Sequence, residues 1–290
     1  MKKLFFYFTF NSFLLSMGIQ TMYVPQSALL LANSTTGIAQ HYSINPANVY
    51  NKEQFFSFSK NNWFENTQGQ KFSYLFKTNK NNKSYFSIET LINDNIPIYG
   101  SSASDDGPIG YFETYWYSVE FSQAYLLDRI LNMETDILIG YKLKLNLSKL
   151  YAKNITNYSF DLGFRKSISE NFSLGFVVKN LSSNFSSSTN DLFDDNPFFG
   201  IGVNYDMPKA YLGFAVDLLY RDDYFIKKAS INTLFSYVNV VLGIMESDNK
   251  SNFAYGMSFS FKDWTIIYGS QIHEDSSLSS PNSIEISKHF

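Results

Sequence analysis

The sequence predicts an all-β protein, a transmembrane antiparallel β-barrel of about fourteen strands. Three observations lead to this prediction. A two-residue hydrophobic period recurs along the chain, aromatic residues make up 18% of it, and polar connections of contrasting length separate the periodic segments. Successive side chains on a strand point to opposite faces, so a two-residue period is typical of strands with one apolar and one polar face.

The segment ISENFSLGFVVKN, residues 168–180, illustrates the period. Phe172, Leu174, Phe176 and Val178 form an apolar row after the short connection 169–171. Fourteen such rows can be counted, and an even number suits a closed antiparallel barrel. The rows begin at Phe56, Phe72, Phe86, Tyr115, Ile137, Tyr158, Phe172, Phe199, Leu212, Ile231, Val240, Phe253, Ile266 and Ile284.

The opposite parity of the same segments carries glycine, serine and charge. A soluble β-sandwich needs only enough apolar faces for one core between two sheets, whereas here nearly every strand has one. A closed barrel with apolar rows toward lipid and polar rows toward a lumen satisfies both faces and leaves no edge. The charged lumen-lining residues predicted in this way either line a conduit, pin an internal segment or neutralise one another: Lys142, Lys144, Asp161, Arg165, Lys179 and Asp217.

Composition supports an all-β chain and excludes several classes of site. The chain has 29 Phe and 21 Tyr, and strands favour aromatic residues. Its 23 basic and 26 acidic residues are nearly balanced, which gives no electrostatic footprint for nucleic acid. There is no cysteine, and the three histidines show no ligand spacing. We therefore expect no catalytic residue, metal or cofactor, and no enzyme activity.

The lengths of the connections indicate which end of the barrel faces the periplasm. Short connections are expected near residues 169–171, 206–208, 237–239 and 262–263, and longer ones at 94–110, 147–156, 181–196 and 270–282. Outer-membrane barrels combine short periplasmic turns with longer external loops. The connection 219–223 is short where a long one is expected, and residues 122–134 fit either a strand end with a turn or a short helix.

The two ends of the chain carry export and assembly signals. Lys2 and Lys3, an apolar run and then small residues predict a signal peptide over residues 1–18, with an uncertain cleavage point. At the other end, Ile284, Ile286 and Phe290 form a terminal strand that closes with an aromatic residue, which resembles the insertion signal read by the bacterial barrel-assembly machinery.

Residues 31–50, LANSTTGIAQHYSINPANVY, contain a glycine followed by an Asn-Pro-Ala motif: Gly37, then Asn45, Pro46 and Ala47. Together with FSFSKNNWFEN at 56–66, NDNIPIYG at 93–100, GYKLKLNLSKL at 140–150 and FDLGFRKSISENFSLGFVVKNL at 160–181, this motif resembles the PorV/PorQ family of outer-membrane proteins, relatives of the FadL-like barrels. The resemblance implies a hatch over residues 19–51 that lies in the lumen of a barrel formed by residues 52–290.

The resemblance also implies a function in the bacterial outer membrane. The first hypothesis is a component of protein export of the type IX kind, whose partners are outer-membrane lipid, the barrel-assembly machinery, and secretion-system components or exported proteins. The alternative is a FadL-like passive channel for hydrophobic small molecules, which predicts an apolar pocket beneath the external loops and a break in the barrel wall. A third hypothesis, a soluble secreted protein that binds carbohydrate through tyrosines, requires a buried aromatic face.

Overall fold

The structure is a computed structural model that describes residue 25 and residues 27–63, 67–79, 82–99, 107–127, 136–150, 153–184, 197–221, 224–247, 250–272 and 280–290. The signal peptide predicted over residues 1–18 lies outside these ranges, as do Ile130 and Leu131 of the ambiguous segment 122–134.

Fourteen strands form the sheet, and each contains one of the fourteen apolar rows, although several strands extend five or more residues beyond their row. They are β1 (Phe55–Asn62), β2 (Thr67–Asn79), β3 (Asn82–Ile98), β4 (Gly110–Leu126), β5 (Ile137–Leu150), β6 (Lys153–Ser167), β7 (Phe172–Asn184), β8 (Phe198–Met207), β9 (Leu212–Arg221), β10 (Tyr224–Phe235), β11 (Val238–Ser247), β12 (Lys250–Phe261), β13 (Trp264–Ile272) and β14 (Asn282–His289).

Every strand pairs antiparallel with its neighbours in sequence, and the sheet closes because β1 also pairs with β14. In the closing ladder Phe55 lies opposite His289, and Phe290 N–H donates to the carbonyl of Gln54 at 3.0 Å. Closure leaves no strand edge to pair with another chain. The predicted fold class, a fourteen-stranded antiparallel barrel, is confirmed.

The apolar rows point outward, as the period predicts. None of the residues that begin the fourteen rows is buried, and several row members are about half exposed, for example Phe58 at 47%, Ile201 at 53% and Met257 at 57%. The opposite parity is buried although it is polar, with Ser57, Ser87 and Ser118 each at most 3% exposed. The soluble hypothesis required buried aromatic rows, and the orientation of the rows contradicts it.

The two ends of the barrel differ in their connections. At the terminal end, where Phe55 and Phe290 lie, the predicted short turns are confirmed at 168–171, 208–211, 236–237 and 262–263. At the opposite, distal end, β3, β7 and β13 are each followed by a connection of at least nine residues, and the ten-residue connection from β4 to β5 is the exception at the terminal end. The long loop predicted at 147–156 is wrong, because β5 runs to Leu150 and pairs with Lys153 of β6. The Asn, Ser and Lys residues of this segment belong to the paired strands and do not form a loop.

The segment before β1, residues 27–51, lies inside the barrel and is called the hatch below. It begins with helix α1 (Ala28–Ala32), which contacts β12, β13 and β14, and ends with the 3₁₀ helix Pro46–Asn51, which contacts β3, β4, β5 and β6. The hatch therefore crosses the lumen from one wall to the other. No helix in the described ranges is long and apolar enough to cross a membrane.

Candidate functional site in the barrel lumen

Asn45 anchors the second half of the hatch. It caps the 3₁₀ helix by accepting a hydrogen bond from Ala47 N–H at 3.0 Å, and its Nδ2 donates to the carbonyls of Ile38 at 2.8 Å and Phe164 at 3.0 Å. Pro46 occupies the first position of the helix, where the missing N–H costs nothing. The Asn-Pro-Ala motif thus ties the hatch to itself and to the wall at β6.

A track of inward glycines gives the hatch backbone room against the wall. A Cβ at Gly140 would lie 2.5 Å from the backbone of Ala47, and one at Gly175 would lie 2.8 Å from the Cα of Ala39. A Cβ at Gly163 would overlap Asn45 Oδ1. The same close approach to the hatch is found for glycines on further strands: Gly200, Gly202, Gly243, Gly256 and Gly269. Protein interiors leave no slack for such overlaps, so these glycines shape the lumen to the hatch.

The hatch turn, residues 34–38, has a strained backbone held by side chains of the wall. Ser34 and Thr35 have φ of 54° and 57°, which costs a non-glycine residue about 1–3 kcal/mol each. Gly37 has φ of 135°, a conformation in which a side chain would be strained. Asp217 of β9 accepts hydrogen bonds from Gly37 N–H at 2.6 Å and from Ile38 N–H at 3.1 Å.

Lys228 of β10 holds the same turn from the neighbouring strand. Its Nζ donates to the hydroxyl of Thr35. Lys228 and Asp217 are register partners in the β9–β10 ladder. The turn thus receives a cation and an anion from two adjacent strands.

A buried ionic network occupies the lumen beside β2–β5. Glu89 pairs with Lys71 and, at 3.5 Å, with Lys144, while Lys142 pairs with Glu120 at 3.0 Å. Burying charges is costly unless they are paired, and here each of the five charged side chains has a partner of opposite sign on another of the four strands. Lys71, Glu89 and Glu120 were not among the predicted residues, although each stands on the inward parity of its strand.

Two cations of the wall, one from the network and one from β6, bind the hatch. Lys142 Nζ donates to the carbonyl of Ser43 at 2.7 Å, and Arg165 Nε donates to the carbonyl of Ala39 at 2.8 Å. Wall cations therefore bind hatch carbonyls, while the wall anion Asp217 binds hatch N–H groups. The polarity of each contact matches the backbone group that it meets.

Asp161 and Lys179 lie at a bulge between β6 and β7. The register shifts between Phe160 and Leu162, and Asp161 Oδ1 accepts the N–H of Asn180, which has φ of 58°. Lys179 points into the lumen, with its Nζ 5.3 Å from the ring centroid of Phe198. Among the described residues it has no ion-pair partner within 4.0 Å. A second bulge interrupts the β3–β4 ladder between Asn93 and Ile96.

A cavity of about 450 Å³ lies between the hatch and the distal end of the barrel. Its position follows from its lining, which includes strand-end residues of that end such as Arg221 and Ser247. One part of the lining is an apolar cluster of Leu30, Ile38, Ile44, Phe198 and Leu219, with Ile226 packed against it. The volume lies within the range of small-molecule pockets, about 300–1,000 Å³.

Comparison with solved structures finds the same barrel in a hydrocarbon channel. The deltaS2S3 mutant of the TodX monoaromatic hydrocarbon channel superposes with a TM-score of 0.64 at 10% sequence identity, over 91% of this chain and 99% of that chain. The toluene transporter TodX of P. putida gives 0.62 at 11% identity, over 91% and 98%. The barrel fold is shared with TodX. No protein-family model and no curated protein matches the sequence.

The fold likeness bears on two expectations from the sequence. The predicted barrel fold is confirmed by its likeness to the fold of TodX. Membership of the PorV/PorQ family stays a prediction, because an identity near 10% concerns the fold alone.

His41 is a buried titratable group within the hatch. Ser43 N–H donates to its Nδ1 at 3.2 Å, so the ring accepts there and the hydrogen-bond pattern fits a neutral imidazole. Burial, followed by the charges of Lys52, Lys71 and Lys142, holds the pKa of His41 well below its usual value. The described residues include no group of three or more metal-ligating side chains.

The structure brings most of the predicted residues to one place. Gly37, Asn45, Pro46 and Ala47 lie in the hatch, and the six predicted lumen residues all face it or the cavity. The predicted insertion residues Ile284, Ile286 and Phe290 lie on the outer surface at β14, with Phe290 67% exposed. Inward parity would have found Lys228, but its partner in the hatch could not be inferred from local sequence.

Proposed function

We propose that this protein is a bacterial outer-membrane channel that admits small hydrophobic solutes. The observation that carries the proposal is the partly apolar cavity at the distal end, closed below by the hatch, within a fourteen-stranded barrel. The shared fold with TodX, a protein described as a monoaromatic hydrocarbon channel, supports it. In this proposal a solute enters from the distal end and rests against Leu219, Ile38 and Phe198 before it leaves the barrel.

The orientation and location belong to the same proposal. The outward rows meet lipid, the short turns of the terminal end face the periplasm, and the distal end faces outside. The barrel-assembly machinery would insert the chain through its terminal strand. The described strands form a closed sheet without the expected break in the wall, although register shifts interrupt three ladders, at Lys77–Asn79, at Asn93–Ile96 and at Phe160–Leu162.

The experiment measures entry of a hydrophobic probe into intact cells that produce the protein. The probe is 1-N-phenylnaphthylamine, which fluoresces once it reaches an apolar phase. Leu219→Trp places a larger side chain in the cavity. Leu218→Trp makes the same change at the preceding residue, which faces outward. We expect Leu219→Trp to lower the entry rate at least about threefold, since a filled pocket loses its solute contacts. Leu218→Trp should leave the entry rate unchanged. Equal entry rates for the parent and both variants would contradict the proposal.

A component of protein export remains the second candidate function. The observation that favours it is the hatch, which crosses the lumen below the cavity and is bound to the ionic network of β2–β5. Such a protein would act through its loops and barrel surface. Deletion of its gene should then change the set of secreted proteins while leaving probe entry intact, which is the reverse of the result expected for the channel.

A further inference from the structure

We propose that Asp217 and Lys228 form a two-position latch for the hatch. In the closed position, which the structure shows, each binds the hatch turn. In the released position the turn withdraws and the two side chains pair with each other.

The closed position rests on three hydrogen bonds. Asp217 accepts from the N–H groups of Gly37 and Ile38, and Lys228 donates to the hydroxyl of Thr35. The charged groups of Asp217 and Lys228 do not form an ion pair with each other in this position. In the closed position, Asp217 and Lys228 therefore bind the turn and not each other.

The released position follows from the register of the two strands. Asp217 and Lys228 lie directly opposite each other in the β9–β10 ladder, and both point into the lumen. Side chains directly opposite on one face of a sheet have Cβ atoms about 4.5–5.5 Å apart, close enough for an ion pair. When the turn leaves, neither charge is orphaned, so release does not carry the cost of an unpaired buried charge.

The hatch turn is itself poised for release. Ser34 and Thr35 adopt left-handed backbone conformations that persist only while their surroundings hold them. The contacts of Asp217 and Lys228 are part of those surroundings, and withdrawal relieves the strain. The turn and both latch residues line the cavity, through Ser34, Thr35 and Ile38 on the hatch side. Control of solute passage by the latch rests on the proposed channel function, but the switch can be measured without any solute.

The test uses a cysteine reporter in a chain that has no other cysteine. Thr36 is 0% exposed, and its hydroxyl has no hydrogen-bond partner among the described residues, so Thr36→Cys is a mild change. The rate at which N-ethylmaleimide labels the purified protein in detergent reports how often the turn is released. Gel migration with and without boiling confirms that each variant holds a folded barrel.

If Lys228 only held the turn closed, its removal would speed labelling. The latch predicts the opposite. Lys228→Met removes the ion pair of the released position and only one hydrogen bond of the closed one. It should therefore slow labelling at least about threefold, as expected when an ion pair is worth more than one hydrogen bond from the ammonium group to a neutral hydroxyl. In the Asp217→Asn background the same change should not slow labelling, since no ion pair can form there. Lys227→Met, which neutralises the neighbouring exposed lysine, should match the parent.

Two further variants keep the test decisive. The exchanged pair Asp217→Lys with Lys228→Asp retains the released ion pair but places a cation against the N–H groups of the turn. It should label at least about tenfold faster than the parent, given the loss of charge-assisted hydrogen bonds. Lys228→Gln replaces Lys228→Met if the latter does not fold. Faster or unchanged labelling on removal of Lys228 would overturn the latch, whatever the result of the probe-entry experiment.

Discussion

Gly163 shows how one missing methyl group positions the hatch. A Cβ at this residue would overlap Asn45 Oδ1, and Pro46 Cδ would lie 2.9 Å away. We expect Gly163→Ala to destabilise the folded protein by about 1–3 kcal/mol, the usual cost of overpacking. Urea titration in detergent measures the change. The matched control is Gly110→Ala, where the added Cβ has no heavy atom closer than 3.9 Å, and a similar loss in both variants would argue against the glycine track.

His41 makes the stability of the hatch depend on pH. Its pKa is lowered in the folded protein by burial and then by Lys52, Lys71 and Lys142, whereas the unfolded chain titrates near the usual value of 6.5. Because the unfolded state binds the proton more readily, the stabilisation is present above about pH 6.5 and is lost as the pH falls toward the lowered value. The slope approaches about 1.4 kcal/mol per pH unit.

The measurement compares the parent with His41→Gln by urea titration at several values between pH 7.5 and pH 5. The parent should lose stability over this window, and the variant, which cannot take up that proton, should lose less. Identical slopes in the two proteins would show that His41 is not the responsible group.

Individual residues differ in how far their roles could be predicted. Inward parity places Lys142, Asp161 and Asp217 in the lumen, because a two-residue period is local information. Their partners are not local, since Asp217 binds Gly37 at a sequence separation of 180 residues. The opposite charges that neutralise Lys142 and Lys144 came from residues outside the predicted set.

For a single strand, the sequence predicts that the strand exists and which face points outward better than it predicts where the strand begins and ends. All fourteen apolar rows correspond to strands, but the polar ends of β5 and β6 were taken for a loop. Strands extend past the apolar band, and the ends carry Asn, Ser and Lys that are also common in loops. The bulge at Asp161 and Asn180 has no sequence signal of the kind that a glycine gives, because Asn180 adopts the positive φ.

The terminal strand offers a prediction about assembly. Phe290 packs against Phe56 with ring centroids 5.8 Å apart, and its N–H bonds to Gln54 across the closing seam. Phe290→Ser should therefore reduce the amount of folded barrel in the outer membrane severalfold, since closure of the last strand completes the backbone pairing required in lipid. Pulse-labelled cells, fractionated and run unboiled, give the folded fraction. Phe235→Ser, an equally exposed aromatic change away from the seam, is the control.

For the whole molecule, closure reconciles two facts that conflict in a soluble protein. The outer surface carries large exposed apolar side chains on every side of the barrel, while the interior is rich in serine, glycine and charge. In water, the exposed rows would form an aggregation-prone surface, and only two small apolar clusters inside the barrel would offset the entropy of folding. Hydrocarbon around the barrel and the hatch packed and hydrogen-bonded inside it remove both difficulties.

This arrangement predicts how outward substitutions depend on depth. Val216 lies near the middle of β9 and is 51% exposed, and Tyr237 lies in a terminal-end turn and is 65% exposed. In lipid, Val216→Arg should cost about 2–4 kcal/mol and Tyr237→Arg about 0–1 kcal/mol, because an arginine at the bilayer midplane is far from water. Urea titration of protein refolded into vesicles measures both. If the outer surface met water instead, both exposed positions would accept arginine at nearly no cost, and equal, small effects would refute a lipid-facing barrel.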